Sequence, residues 1–251
     1  MPKYNWDIKD LLFEEDVRKM YDAAGTLQKK AFISICWLTG ARTGESLSLK
    51  KEDIGFNDDF LEIRLPTTKL GGGDYKTAMR TLTVTRPRGV EANLYVETVV
   101  KYAANLPLND DFLFGHEGVG KKAYTTRWAE SKVIGPLSLQ TLGKWLTPYH
   151  FRHSCMQWLA RHGASLAQLM HFKGAKSPLS VQPYISAVPA VVKMQNLKRE
   201  RALEQKPEVI VSENKSPTPG EGKPAESADT QAKPTPTESV SSQTANAGTE
   251  I

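Results

Sequence analysis

The feature that most constrains this 251-residue chain is the segment 147–184, which opens with the sequence Thr-Pro-Tyr-His-Phe-Arg-His-Ser. The Thr-Pro pair predicts a turn that leads into a helix. A helix start presents backbone N–H groups and the positive end of the helix dipole, so it attracts anions. Arg152, about one turn further along, adds a planar fork of donors. The segment therefore predicts a binding site for a phosphate.

Two further groups suit chemistry on a phosphate. Tyr184 lies at the end of the same segment, in the short polar stretch Gln-Pro-Tyr-Ile-Ser, beyond a glycine and a proline. Upstream, residues 39–47 read Thr-Gly-Ala-Arg-Thr-Gly-Glu-Ser-Leu, which places Arg42 at the start of another predicted helix. Arg42 is compatible with an ordinary surface arginine, or with a phosphate clamp held by Glu45 one turn later.

The order and spacing of these pieces resemble the catalytic domain of the tyrosine recombinases, the phage-integrase family, over residues 13–190. That family carries Thr-Gly-x-Arg-x-x-Glu-x-x-x-Leu, a lysine in a β-hairpin, His-x-x-Arg, and Gly-His followed by a tyrosine. The resemblance implies a mainly α-helical fold with a small antiparallel β-hairpin or sheet. It also implies that Arg42 and Arg152 clamp a phosphate and that Tyr184 is the nucleophile.

The implied reaction is cleavage and rejoining of double-stranded DNA, without a metal or another cofactor. Tyr184 attacks the phosphodiester and becomes a 3′-phosphotyrosine, while a hairpin lysine protonates the departing 5′ oxygen. Lys69 follows the first strand at the family's usual distance and is the preferred lysine. Lys76 lies in a Lys-Thr dipeptide that is also common around the catalytic lysine, so it is the alternative. A third reading is that both lysines belong to a solvated hairpin near DNA.

Two positions depart from the family pattern. Tyr149 stands where the family has the histidine of His-x-x-Arg, and His150 lies one place later, on a different helical face. We place Tyr149 in the catalytic set. Ala175 stands where the family has histidine or tryptophan after a glycine, and its methyl group can neither donate nor accept a hydrogen bond. Lys176 or His171 could substitute there.

The resemblance implies a site-specific recombinase or integrase that acts in DNA recombination and DNA integration, as in a mobile genetic element. Two alternatives remain open. One is a catalytically degenerate relative that binds DNA as an accessory factor, and the other is a type IB topoisomerase-like enzyme. As a recombinase, the chain is expected to be a monomer in solution and to work as a homo-tetramer on two DNA duplexes.

Charge and hydropathy fit a DNA-binding protein of the cytoplasm or of a host nucleoid. The chain carries a net charge of +5, and residues 206–251 hold four lysines against seven acids, so the first 205 residues carry +8. A basic domain is compatible with a nucleic-acid partner. No run of about 18 apolar residues is present, so no membrane span is expected. Cys36 and Cys155 lie in apolar helical patterns and are predicted to be buried, reduced thiols.

Hydrophobic periodicity predicts the remaining organisation. A β-hairpin is expected from strands 60–65 and 79–84, joined by a Gly-Gly-Gly-Asp turn. The predicted helices cover residues 13–24, 27–39, 42–50, 93–104, 137–146, 151–162, 166–172 and 188–203. We expect a short N-terminal arm (1–12), a catalytic domain (13–205) and a disordered tail (206–251). The tail has six prolines and no aromatic residue, so it cannot bury enough apolar surface to offset ordering.

Overall fold

The architecture is mainly helical with one small antiparallel sheet, as the sequence predicts. The computed structural model describes residues 7–67, 78–86, 93–106, 112–116 and 122–204. The α-helices are α1 (Glu14–Ala23), α2 (Leu27–Thr39), α3 (Thr43–Leu47), α4 (Leu94–Ala104), α5 (Thr126–Trp128), α6 (Gly135–Leu142), α7 (Pro148–Arg161), α8 (Leu166–Lys173) and α9 (Gln182–Glu204). The strands are β1 (Ile54–Phe56), β2 (Phe60–Thr67) and β3 (Ala78–Thr85), and a π-helical segment, Ala129–Ile134, joins α5 to α6.

The core is built around α2, in which residues 31–37 are all buried and, apart from Ser34, apolar. Phe32, Ile33 and Ile35 are fully buried, and helices α1, α4 and α7 pack around α2. Gly40 ends the helix in the left-handed conformation, with φ +55°. A Cβ at Gly40 would lie 3.0 Å from the Cys155 Sγ, so the end of α2 approaches α7 closely. This junction of α2 and α7 is where the candidate site forms.

The sheet has the order β1-β2-β3, with antiparallel neighbours. Ile63 of β2 pairs with Ile54 on one side and with Leu82 on the other, and all three side chains are buried. The predicted hairpin of β2 and β3 is therefore confirmed. Strand β1 was not predicted, because three residues with a central glycine are too few to show an alternating pattern.

Helix α9 differs from the prediction. The sequence places Tyr184 in a short polar segment before a helix that begins at residue 188, whereas Tyr184 lies in the first turn of one continuous helix. Pro183 fits the first turn, where backbone N–H groups have no partner within the helix. Pro189 lies inside the helix, where proline normally interrupts helical structure, and this is why the sequence favours a boundary near it.

Contacts with the N-terminal part of the chain hold the second half of α9. Val191 is fully buried and packs with Leu11 and Phe13. The Lys198 Nζ lies 2.6 Å from the Asp16 Oδ2 on α1 and 5.1 Å from the centroid of the Phe13 ring. In the single chain, α9 thus packs on residues that precede and begin α1, as well as on α7.

Two other helices are shorter than predicted. Helix α3 ends at Leu47 instead of reaching Lys50, because Lys50 forms an isolated β-bridge with Phe112. Helix α6 ends at Leu142 instead of continuing to residue 146, because Gly143 takes the left-handed conformation with φ +69°. Helix α7 begins at Pro148, three residues before the predicted start, which agrees with proline as a first-turn residue.

Three of the sequence-based expectations fall outside the described residues. These are the roles of Lys69 and Lys76 in the hairpin turn and the disorder of residues 206–251. Among the residues that the structure does describe, no helix is both long enough and apolar enough to cross a membrane.

Candidate active site

The site begins with a buried carboxylate held between two arginines. Glu45, in α3, is fully buried. Its Oε1 lies 2.6 Å from the Arg42 Nη1 and its Oε2 lies 2.8 Å from the Arg80 Nη2. Burial alone would raise the pKa of Glu45, but the hydrogen bonds from Arg80 and Arg42 outweigh it, so the pKa is lowered and the carboxylate stays ionised. The predicted contact between Arg42 and Glu45 is therefore present.

Arg42 combines this anchor with access to solvent. It is the residue before α3, and its backbone N–H donates to the Glu45 Oε2 at 3.0 Å. About a third of its side chain (32%) is exposed, although one guanidinium nitrogen is fixed by the buried carboxylate. An arginine that is oriented from behind and open in front is suited to binding an anion, because little side-chain freedom is lost on binding.

Arg80 was not predicted as part of the site. It lies in β3, two residues before the buried Leu82, so the strand alternation places both side chains on the inward face. A charged residue at an inward position of a strand was the signal available in the sequence. Arg80 also explains why position 174 is a glycine. Gly174 has φ +61°, and a Cβ there would lie 2.9 Å from the Arg80 Nη1.

Arg152, in α7, ties the ends of two other helices together. Its Nη1 donates to the Gly40 carbonyl at 2.6 Å, and its Nη2 donates to the Lys173 carbonyl at 2.6 Å. Both carbonyls lie at helix C-termini, where the helix dipole favours a cation. Burial and the nearby charge of Arg42 lower the pKa of Arg152 to about 10, so it remains positive at neutral pH. These two bonds use two of the five guanidinium donors.

Tyr184 lies beside Arg152 and is almost completely buried, with 1% of its surface exposed. Its Oη and the Nδ1 of His153 are hydrogen bonded at 2.9 Å. Burial raises the pKa of Tyr184, and the charge of Arg152 opposes this only in part, so the phenol is protonated in this structure. Burial and the charges of Lys173 and Arg152 lower the pKa of His153 to about 3, so its imidazole is neutral.

Tyr149 lies at the edge of this group. It is in the first turn of α7, it is 43% exposed, and its ring centroid is 4.2 Å from that of His153. His150 points elsewhere, since its Nδ1 accepts the Thr147 backbone N–H at 3.0 Å and so caps α7. Arg152 interacts electrostatically with both Arg42 and Tyr184, and Tyr149 lies next to His153, the hydrogen-bond partner of Tyr184.

His153 and Lys173, like Arg80, are site residues that were not predicted from the sequence. His153 directly follows Arg152 and lies one helical turn after Tyr149, a spacing that places both rings on one face of α7. Lys173 is the last residue of α8, and its Nζ lies 4.9 Å from the centroid of the Tyr184 ring. Neither residue belongs to the motifs on which the resemblance rests, so the pattern gave no reason to select it.

His171 and Lys176, which were suggested in place of Ala175, do not take part in the described contacts of Tyr184. The His171 Nε2 is hydrogen bonded to the Thr81 carbonyl at 2.9 Å, and Lys176 is exposed. Within the part of the chain that the structure describes, no group of three His, Cys, Asp or Glu side chains is arranged to hold a metal ion.

Comparison with known proteins decides the family. The model described as "Phage integrase family" matches residues 11–190, which is well over half of the chain. The chain belongs to the phage integrase family. This match spans α1 to the first turns of α9 and therefore includes Arg42, Arg152 and Tyr184.

Curated relatives are distant and longer. The tyrosine recombinase XerD of Listeria monocytogenes serotype 4b (strain F2365) is 25% identical over 190 residues, which cover 73% of this chain and 60% of the relative. The tyrosine recombinase XerA of Pyrococcus horikoshii is 24% identical over 186 residues, covering 73% of this chain and 59% of the relative. The chain spans about 60% of the length of the curated relatives it matches.

Solved structures confirm the predicted fold. The crystal structure of XerA recombinase matches with a TM-score of 0.58 at 19% identity, over 75% of this chain and 64% of that one. The post-cleavage complex of XerH recombinase with a palindromic difH substrate matches with a TM-score of 0.57 at 16% identity, over 80% of this chain and 54% of that one. The described residues therefore have the fold of a tyrosine recombinase catalytic domain.

Proposed function

We propose that this protein is a site-specific DNA recombinase or integrase, which cleaves and rejoins double-stranded DNA through a 3′-phosphotyrosine at Tyr184. The observation that carries the proposal is the convergence of Tyr184 and Arg152 on Lys173. The Lys173 ammonium lies over the ring of Tyr184, and the backbone carbonyl of Lys173 accepts a hydrogen bond from Arg152. A tyrosine nucleophile needs cations close to its phenol, because nearby positive charge favours the phenolate.

The first chemical step uses the groups that the site brings together. The Tyr184 oxygen forms a bond to the phosphorus and releases its proton to water, and the bond from phosphorus to the 5′ oxygen breaks. Arg42 and Arg152 stabilise the negative charge that develops on the non-bridging oxygens. Lys69, with Lys76 as the alternative, protonates the departing 5′ oxygen. Because the phosphotyrosine keeps the energy of the phosphodiester, the reverse reaction rejoins DNA without a nucleotide cofactor.

Tyr184 must become accessible before it can react. Its hydroxyl is bonded to His153, and both side chains are buried. We therefore interpret the described arrangement as a resting state, from which the first turn of α9 moves when DNA binds. A movement of α9 on DNA also fits the proposed assembly, in which a monomer in solution forms a homo-tetramer on two duplexes.

The alternative is a relative that binds DNA without cutting it. The buried nucleophile favours this reading, and so do Tyr149 and Ala175 in place of the two family histidines. A type IB topoisomerase-like enzyme would share the cleavage chemistry but would relax supercoiled plasmid of any sequence. Plasmid relaxation without a defined site would therefore separate this activity from site-specific recombination.

A covalent-trapping experiment tests the proposal. The protein is incubated with a pool of nicked duplexes that carry randomised sequence around the nick, so that cleavage releases a short strand and the adduct cannot religate. We expect the wild-type chain to form an adduct that resists detergent, and Tyr184→Phe to form none while it still binds DNA. Tyr149→Phe is the comparison variant, since it removes the hydroxyl of the other tyrosine in the predicted catalytic set. Loss of the adduct in Tyr149→Phe with retention in Tyr184→Phe would show that the nucleophile is misassigned.

A further inference from the structure

Lys173 has contacts with both halves of the candidate site. Its ammonium lies 4.9 Å from the centroid of the Tyr184 ring and donates to the carbonyl of Ser180. Its own carbonyl accepts a hydrogen bond from the Arg152 Nη2 at 2.6 Å. The side chain is partly buried at the end of α8, where Gly174 ends the helix. One lysine thus connects the proposed nucleophile to one of the proposed phosphate clamps.

The charge of Lys173 is poorly compensated in this state. Burial and the charges of Arg152 and Arg42 lower the pKa of Lys173 to about 8. Its recorded partners, within the described ranges of the chain, are a carbonyl and an aromatic ring, and neither carries a full negative charge. The positive charges of Arg152 and Arg42 act on the Lys173 ammonium, and a bound anion would offset this mutual repulsion, so the arrangement favours a bound phosphate.

We propose that Lys173 is a further catalytic residue, whose ammonium leaves the Ser180 carbonyl when DNA binds and donates to a non-bridging oxygen of the scissile phosphate. This inference rests on the proposed function. Lys173 would supply the donor that the methyl group of Ala175 lacks, and it would act beside Arg42 and Arg152. The position of its ammonium over Tyr184 would also stabilise the phenolate during the attack.

Lys173 suits this role better than the two substitutes that the sequence suggested. His171 is exposed, and its Nε2 is bonded to the Thr81 carbonyl of β3 at 2.9 Å. Lys176 is exposed, in the turn after α8. Of these three residues, Lys173 is the one with described contacts to both Tyr184 and Arg152.

The main test compares three lysine-to-methionine variants, which keep an unbranched side chain and remove the charge. Lys173→Met tests the proposal, Lys176→Met tests the rival residue, and Lys193→Met removes a charge from an exposed position of α9. We expect Lys173→Met to slow covalent adduct formation on the nicked pool by about 10²- to 10³-fold, as for loss of one donor to a developing oxyanion. Lys193→Met should stay near the wild-type rate. A near-wild-type rate in Lys173→Met, or a large loss in Lys176→Met alone, would overturn the assignment.

A second measurement separates catalysis from a purely structural role. If Lys173 only fastens Tyr184 and Ser180 in place, Lys173→Met should lower the melting temperature and expose the tyrosine. If Lys173 is a catalytic cation, its removal relieves a desolvated charge beside two arginines, so the melting temperature should be equal or higher. A lowered melting temperature together with an undiminished rate of adduct formation would support the structural role and contradict the proposal.

A third measurement does not require cleavage, so it distinguishes failure of this inference from failure of the proposed function. In the Tyr184→Phe protein, an amine-reactive reagent is used to label lysines with and without a random-sequence DNA duplex, and the labelled peptides are quantified by mass spectrometry. We expect labelling of Lys173 to rise around pH 8 and to be suppressed by DNA more strongly than that of Lys193. Burial of the ammonium and the charges of Arg152 and Arg42 set this titration.

The outcomes of these measurements are separable. If the wild-type chain forms no adduct, the proposed enzyme function fails and with it the catalytic role of Lys173, whereas protection of Lys173 by DNA would still show that DNA contacts its ammonium. If the wild-type chain forms the adduct but DNA leaves the labelling of Lys173 and Lys193 equally unchanged, the function stands and the role of Lys173 is refuted.

Discussion

The substitution Glu45→Gln tests how the site is held together. Glu45 is fully buried between Arg42 and Arg80, at 2.6 and 2.8 Å, and the Arg80 side chain is only 6% exposed. Glutamine keeps the shape of the side chain but removes the charge, so the ion pairs of Glu45 with Arg42 and with Arg80 are both lost. Removal of one partner from a buried ion pair typically costs about 3–5 kcal/mol, because the other charge stays buried and uncompensated.

We therefore expect Glu45→Gln to lower the free energy of unfolding at pH 7 by an amount in that range, measured by urea denaturation. The matched control is Glu52→Gln, since the Glu52 side chain is 52% exposed and lies 3.9 Å from the Lys50 Nζ. Exposed pairs contribute about 0–1 kcal/mol, so this control should be nearly neutral. A loss below about 1 kcal/mol in Glu45→Gln would refute the buried-anchor account.

The pH dependence of the same variant gives an independent check. The folded-state pKa of Glu45 is lowered, so its charge stabilises the folded state at pH values above its unfolded pKa of about 4.3. This stabilisation is lost as the pH falls through the folded-state pKa. The difference in unfolding free energy between wild type and Glu45→Gln should therefore be full at pH 7 and should shrink below about pH 4. A difference that stays constant into this acidic range would contradict the ionised pair.

Three further predictions follow from individual contacts. Gly174→Ala should destabilise the fold more than Gly143→Ala. Both glycines have positive φ, where a side chain costs about 1–2 kcal/mol, but only at Gly174 would a Cβ lie 2.9 Å from the Arg80 Nη1. Equal melting temperatures of the two variants would contradict this. Arg152→Lys should reduce covalent adduct formation by about 10²- to 10³-fold, because one ammonium cannot bond the two carbonyls and also bind two phosphate oxygens; a near-wild-type rate would contradict it. Burial raises the pKa of Cys155 to about 12, so a thiol reagent should label it only after unfolding, and rapid labelling of the native protein would contradict its position.

Much of the fold could be predicted because its signals are local. Helix α2 has an apolar stretch from Ala31 to Leu38, interrupted only by Ser34, and is ended by Gly40, so its boundaries could be read from composition and capping chemistry. Residues 60–65 and 79–84 alternate in sequence, which indicates the inward face of strands β2 and β3. The continuity of α9 through Pro189 could not be predicted. It depends on burial of Val191 against Phe13, far away in the sequence.

The residues of the candidate site also fall into those that the sequence indicates and those that only the structure shows. Arg42, Arg152 and Tyr184 lie in spaced motifs, so the sequence alone selects them. Arg80 and Lys173 have no motif, and their roles depend on tertiary contacts: Arg80 reaches Glu45 from a different element, and Lys173 reaches Tyr184 across the turn between α8 and α9. A buried charged residue can be recognised in a sequence only when the period of its strand or helix is known. For Arg80 that period was available from the alternation of β3.

The state of Tyr184 is the least predictable feature. The motif specifies a nucleophile, yet the structure shows a protonated phenol that is buried and bonded to His153. Sequence patterns report the residues that a reaction needs, whereas the resting conformation depends on how α9 packs on α7. We therefore expect DNA binding to precede any reactivity of the tyrosine.

The central claim is that Tyr184 becomes covalently joined to DNA, and peptide mapping of the trapped adduct tests it most directly. The adduct from the nicked pool is digested with protease and nuclease, and the modified peptide is sequenced by mass spectrometry. The account predicts a nucleotide attached through its 3′ phosphate to the Tyr184 oxygen, with the released DNA end carrying a 5′ hydroxyl. Attachment to Tyr149, attachment through a 5′ phosphate, or no modified tyrosine in a protein that binds the same DNA would contradict it.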